Sequence, residues 1–147
     1  MRTVGEMCGR DVIVAAPETT VAAAAKLMRH HHVGCVVIVD KMNGGLGIPR
    51  GIVTDRDIVV RVVAEGGQLN GPVRDIVTSA LVSATPEMST REAAELMSEH
   101  QIRRLPVVEN DRLVGIVSIG DLAVKEGKDG RIGDTLQHIS EGVKERE

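Results

Sequence analysis

The second half of this chain repeats the first. Val4-Gly5-Glu6-Met7 aligns with Val73-Arg74-Asp75-Ile76, and Pro17-Glu18 with Pro86-Glu87. Ala24-Ala25-Lys26-Leu27-Met28 aligns with Ala93-Ala94-Glu95-Leu96-Met97, and His31 with His100, all at an offset of 69. Gly51-Ile52-Val53-Thr54 then matches Gly115-Ile116-Val117-Ser118, and Asp57 matches Asp121, at an offset of 64. The difference of five is an insertion in the glycine-rich stretch 42–49 of the first copy. A tandem duplication within 147 residues constrains the fold strongly. Half of such a chain makes a marginal domain alone, so two copies must share their apolar faces.

Each copy carries the same order of local signals. A short helical turn at 4–8 or 73–77 precedes an apolar strand at 12–15 or 81–84. Pro17 or Pro86 stops that strand, because proline cannot donate to a ladder. Thr20 and Ser89 suit helix N-caps, and Ser89-Thr90-Arg91-Glu92 has the spacing of a full capping box. Ala94, Leu96, Met97 and Ile102 form the apolar stripe of the helix that follows. β-Branched runs come next, at 33–39 with 51–53 and at 105–108 with 113–117. Glu109-Asn110-Asp111-Arg112 supplies hairpin chemistry between the second pair. A second helix, at 57–64 or 120–125, closes each copy.

The pattern predicts an α/β protein of the α+β type, two βαββα repeats packed sheet to sheet as a pseudo-twofold pair. The first repeat occupies residues 1–66, a linker 67–72 and the second repeat 73–126. Residues 127–147 form a C-terminal extension, with polar linker character at 125–131, a short amphipathic helix at 134–140 and a charged tail.

Composition narrows the function. Phe, Tyr and Trp are absent, so Val, Ile, Leu, Ala and six Met fill the core. No aromatic ring can stack on a base, and a net charge of −3 gives no basic footprint. Nucleic-acid binding is therefore disfavoured. No stretch has the apolar length of a membrane span, and the first 20 residues lack a signal-peptide layout, which predicts a cytoplasmic protein. Cys8 and Cys35 are too few for a disulfide framework and read as reduced thiols.

The strongest chemical signal is Thr54-Asp55-Arg56-Asp57, echoed by Ser118-Ile119-Gly120-Asp121. Each copy runs from a buried strand into a hydroxyl residue with an acid three positions on. One reading is a capping box and nothing more. The other gives the same groups a ligand: a phosphate at the helix start and hydroxyl, and a ribose diol on the carboxylate. Arg103-Arg104 is either a solvated pair bonding Glu99 or Asp111, or a phosphate-binding fork. His30-His31-His32 cannot converge on one metal ion, since successive helical residues point about 100° apart. No metal site is expected, and Met28 and Met97 read as core filler. No nucleophile–base pair, P-loop or zinc set is present in sequence, so no catalytic residue is assigned and the protein reads as a non-enzyme.

Two βαββα copies, each with G-h-h-[TS]-x-x-D and A-A-x-L-M, and a strand reading Ile102-Arg103-Arg104-Leu105-Pro106-Val107-Val108, resemble a pair of CBS domains. The family is named for cystathionine β-synthase, and the likeness spans about residues 3–126. It implies two clefts between the copies and an adenosine-containing ligand such as AMP, ADP, ATP or S-adenosylmethionine, with no cofactor required. It assigns Thr54 and Asp57 to one cleft, with Ala84, Thr85, Arg103, Arg104 and Leu105 from the opposite copy. It assigns Ser118 and Asp121 to the other, with Ala15, Ala16, Gly34, Cys35 and Val36. Gly34-Cys35-Val36-Val37 departs from the family's Leu-Pro pattern and lacks the arginines, so the Thr54/Asp57 cleft is expected to bind better.

The resemblance also implies a regulatory module acting on a protein partner in trans, and a homodimer. The apolar stretches 59–63 and 93–97 are the expected dimer faces. A ligand-free dimerisation scaffold, or a regulatory subunit of a separately encoded enzyme, remain alternatives.

Overall fold

The computed structural model describes residues 2–40, 45–77 and 81–125. The linker, helix and tail expected beyond residue 125 lie outside them, as do residues 42–44 of the glycine-rich insertion. The elements in order are α1 (Val4–Met7), β1 (Val14–Ala15), α2 (Val21–His31), β2 (Cys35–Asp40), β3 (Ile48–Thr54) and α3 (Asp55–Ile58). A π-helical turn (Val59–Val63) and a 3-10 turn (Val73–Asp75) follow, then α4 (Thr90–His100), β4 (Arg104–Glu109), β5 (Arg112–Ser118) and α5 (Ile119–Lys125). The α+β composition with two small sheets agrees with the sequence expectation.

The chain forms two compact units. One gathers residues 11–81 with 111–113; the other gathers the described parts of 1–10, 82–110 and 114–147. In the first, β1 pairs parallel with β2, and β2 antiparallel with β3, with a bulge between Ile38 and Val39. Strand β2 is apolar and buried from Cys35 to Val39. Ala15, Val21, Ala24, Met28, Val36, Ile38, Val53, Ile58 and Val62 form the core.

In the second unit β4 pairs with β5 through a two-residue turn. Asn110 and Asp111 both have positive φ, 51° and 64°, the type I′ geometry that fits a twisted hairpin. The strand expected at 81–84 shrinks to a single bridge between Ala84 and Val107. Pro106 explains the loss. In the first copy the matching residue, Val37, donates its N–H to the Ile13 carbonyl at 3.0 Å. Proline has no N–H for that bond. The bonds that survive run from Ala84 N–H to Pro106 O (2.9 Å) and from Val108 N–H to Ala84 O (2.8 Å).

Helix starts follow the sequence signals with one change. The Thr20 hydroxyl accepts from Ala23 N–H and the Ser89 hydroxyl from Glu92 N–H, both at 3.1 Å. The Glu92 carboxylate meets the Ser89 hydroxyl at 3.3 Å rather than the Ser89 backbone, so this box closes on one side only. A second correction concerns residues 93–97. Ala93, Ala94 and Met97 belong to the core, with Val4, Met7, Leu105, Val107, Val117 and Leu122, and do not form a dimer face. Of the two expected faces, only Val59, Val60 and Val63 stand exposed.

The units do not follow the copies. The first copy's opening turn packs with the second copy: Val4 N–H donates to Met88 O (2.8 Å), Gly5 N–H to Pro86 O (2.9 Å) and Thr90 N–H to Arg2 O (3.2 Å). A Cβ on Gly5 would lie 3.1 Å from Pro86, so the approach suits glycine. The second copy's opening turn does the same for the first: Val73 N–H donates to Thr19 O (2.8 Å) and Arg74 N–H to Pro17 O (3.2 Å). Gly71 and Leu69, from the stretch between the copies, accept the otherwise orphaned N–H groups of Val21 (2.9 Å) and Ala22 (2.8 Å) at the start of α2.

Val73 and Ile76 therefore help complete the core of the 11–81 unit. Val73→Ala should lower unfolding stability by about 2 kcal/mol, the usual cost of removing two buried methyl groups and leaving a cavity. Residues 1–66 expressed alone should show no cooperative transition in chemical denaturation, because their core lacks both side chains.

Candidate functional site

Both hydroxyl–acid motifs sit where a β-strand turns into a helix. Strand β3 alternates buried and accessible residues, with Val53 fully buried and Thr54 half-buried. Asp57 N–H donates to the Thr54 hydroxyl at 3.1 Å, and Thr54 N–H donates to Asp57 Oδ2 at 2.9 Å. The second copy repeats both bonds at 3.0 Å, between Ser118 and Asp121. Each motif is thus a closed capping box. Each box engages one carboxylate oxygen. Asp57 Oδ1 has only the Arg61 Nε at 3.9 Å, and among the described residues Asp121 Oδ1 has no partner.

The neighbouring strand supports each box. Asp55 N–H donates to Gly34 O at 2.9 Å, and Cys35 stands opposite Thr54 in the sheet. Ile119 N–H donates to Arg103 O at 2.8 Å in the matching position. Ala15 lies in β1, paired with Ile38, and Ala16 O accepts from Thr19 N–H at 3.0 Å. Ala84 makes the bridge to Val107, and Thr85 O accepts from Met88 N–H at 3.2 Å.

The expected ligand residues therefore fall into two sets within the units. Ala15, Ala16, Gly34, Cys35, Val36, Thr54 and Asp57 belong to one; Ala84, Thr85, Arg103, Arg104, Leu105, Ser118 and Asp121 to the other. The side chains of Ala15, Cys35, Val36, Ala84 and Leu105 are buried. What such residues offer to a ligand is backbone.

Arg103 is exposed and Arg104 half-buried. Among the described residues neither guanidinium has an ion pair or side-chain hydrogen bond, so the pairing with Glu99 or Asp111 is not made. Their strand is paired with the one that ends in Ser118. The rings of His30 and His31 meet edge to face at 4.8 Å, and His32 caps α2 in the left-handed conformation. Arg61 belongs to none of the sequence motifs. Its spacing of four from Asp57, one helical turn, is the signal that finds it.

Comparison with known proteins agrees with this architecture. The CBS domain pattern matches residues 4–64 and again 73–125. The chain is 40% identical over 140 residues to the CBS domain-containing protein YhcV of Bacillus subtilis (strain 168), covering 95% of this chain and 96% of that one. It resembles the CBS domain protein PAE2072 from Pyrobaculum aerophilum complexed with AMP, with a TM-score of 0.74 and 32% identity over 83% of this chain and 90% of that one. It also resembles the CBS domain pair of protein MJ0100 in complex with 5′-methylthioadenosine and S-adenosyl-L-methionine. There the TM-score is 0.76 and the identity 27%, over 88% of this chain and 99% of that one. Both copies match the domain pattern, and the relatives match over nearly the whole chain: this protein belongs to the CBS-domain family and carries a tandem pair of the domains.

Proposed function

We propose that this CBS pair is a cytoplasmic, non-catalytic sensor of adenosine-containing ligands that regulates a protein partner in trans. One observation carries the reading. In both copies the capping box engages one oxygen of an aspartate and leaves the other without a hydrogen bond among the described residues. An ionised carboxylate accepts several hydrogen bonds and can take the two hydroxyls of a ribose. The structural relatives bound to AMP, or to 5′-methylthioadenosine and S-adenosyl-L-methionine, support the class of ligand; ADP and ATP belong to it as well. Binding would shift the populations of conformers that the partner distinguishes. The two free cysteines, Cys8 and Cys35, fit a reducing compartment.

The proposed ligand residues are those of the two sets above, with Thr54 and Asp57 in one site and Ser118 and Asp121 in the other. Backbone of the other copy completes each site in the family pattern. Beside the allocation that pattern implied, with Arg103 and Arg104 at the Thr54/Asp57 site, stands a second, within their own copy. The Ile119–Arg103 bond and the β4–β5 pairing favour Arg103 or Arg104 as the anion partner of the Ser118/Asp121 site. Calorimetric titration with AMP tests this. Asp121→Ala should remove the tighter phase, weakening it roughly 30- to 150-fold, as loss of about 2–3 kcal/mol of charge-assisted hydrogen bonding implies. Asp57→Ala should spare that phase. Circular dichroism must first show that each variant is folded, because each loses a cap. Equal losses, or a larger loss from Asp57→Ala, would reject the allocation. No titration of the folded parent by AMP, 5′-methylthioadenosine or S-adenosylmethionine would favour the ligand-free scaffold, in which the closed boxes serve the fold alone.

The reading includes a homodimer through the π-helical turn. Val59, Val60 and Val63 are 55%, 47% and 58% exposed, an apolar cluster that a second copy would cover. Light scattering should give twice the chain mass, and Val60→Asp should return the monomer. A parent that stays monomeric at all practical concentrations would remove this part of the reading.

A further inference from the structure

Arg61 stands between two groups with different roles. Its Nε lies 3.9 Å from Asp57 Oδ1, the oxygen that the capping box leaves open. Its Nη1 donates to the carbonyl of Ile76 at 3.2 Å. Ile76 is a core residue at the end of the 3-10 turn that opens the second copy. The π-helical turn positions the arginine. Ala64 N–H bonds Val59 O at 2.8 Å, and Val62 points into the core while its neighbours face outward. The guanidinium is a planar fork, so a change at one prong is felt at the other.

We infer that Arg61 is a positioning residue: it orients Asp57 for the ligand's ribose and ties the occupancy of that carboxylate to the docking of the segment that opens the second copy. The inference rests on the nucleotide-sensing reading of the Thr54/Asp57 site. Ligand hydroxyls on Oδ1 would hold the carboxylate in one rotamer. That removes freedom from the arginine sharing the oxygen, and the bond to Ile76 becomes better defined. The residue at the matching position of the second copy is Lys125.

The test uses the full chain with Asp121→Ala, so that the Thr54/Asp57 site titrates by itself, and compares Arg61, Arg61→Leu and Arg61→Lys. Affinity is measured by calorimetry with AMP and with the neutral 5′-methylthioadenosine, and amide exchange is followed at residues 73–77. Arg61→Leu should weaken both ligands equally, by about two- to five-fold, the range of a partly exposed ion pair. Arg61→Lys should recover the affinity to within about two-fold, since the charge remains near Asp57. With Arg61 present, ligand should slow exchange at 73–77; in both variants that slowing should vanish. Unchanged affinity in Arg61→Leu would overturn the positioning role, and a loss confined to AMP would make Arg61 a phosphate partner instead. Ligand-induced protection that persists in the variants would overturn the coupling. A folded protein with Arg61 intact that titrates with neither ligand would overturn the nucleotide reading and this inference with it, an outcome distinct from titration that ignores Arg61.

Discussion

The fold depends on a reciprocal exchange of short segments. Residues 2–5 bond to 86–90, and residues 69–74 bond to 17–22, through backbone groups at matching positions of the repeat. These bonds satisfy the first N–H groups of α2 and α4, which a helix cannot satisfy internally. The same segments carry Val4, Met7, Val73 and Ile76 into the two cores. A protein with no aromatic side chain has only aliphatic area for its core, so these four residues form a substantial share of it. Each unit is built from both copies, and this is how a repeat too small to fold alone becomes viable.

The candidate sites use the same economy of backbone. Each closed capping box holds one aspartate oxygen on the backbone N–H of its hydroxyl residue and, in the proposed reading, leaves the other for a ligand. The buried candidate residues Ala15, Cys35, Val36, Ala84 and Leu105 have backbone carbonyl and amide groups to offer rather than side chains. Arg103 and Arg104 stand on one side, where the first copy has Gly34 and Cys35. The duplicated frame is symmetric in its caps and asymmetric in its charge.

What was legible in the sequence was local. Thr54-x-x-Asp57 and Ser118-x-x-Asp121 could be read because their bonds span three residues, and the turn at Asn110-Asp111 because its positive φ values suit those residue types. The repeat itself disclosed the family. The segment exchange was hidden, because it joins residues some 50 and some 85 positions apart and involves backbone groups that every residue shares. Periodicity identified Ala93, Ala94 and Met97 as apolar but not what covers them. The contracted strand at Ala84 was written in Pro106, yet its effect appears only once Val37 is known to donate at the matching place. The π-helical turn at Val59–Val63 left no local mark, since a run of valines also fits a strand.

The exchange also sets an order of events at the ribosome. Arg2, Val4 and Gly5 are made more than 80 residues before their partners Pro86, Met88 and Thr90. At ordinary elongation rates of about 5–20 residues per second, this segment waits roughly 4–17 seconds for them. The 11–81 unit meets no such long delay for its own exchange, because residues 69–74 emerge only about 50 residues after the partners 17–22 that they bond. The first copy can thus finish its core early, while the opening segment stays unbound until the second copy is made.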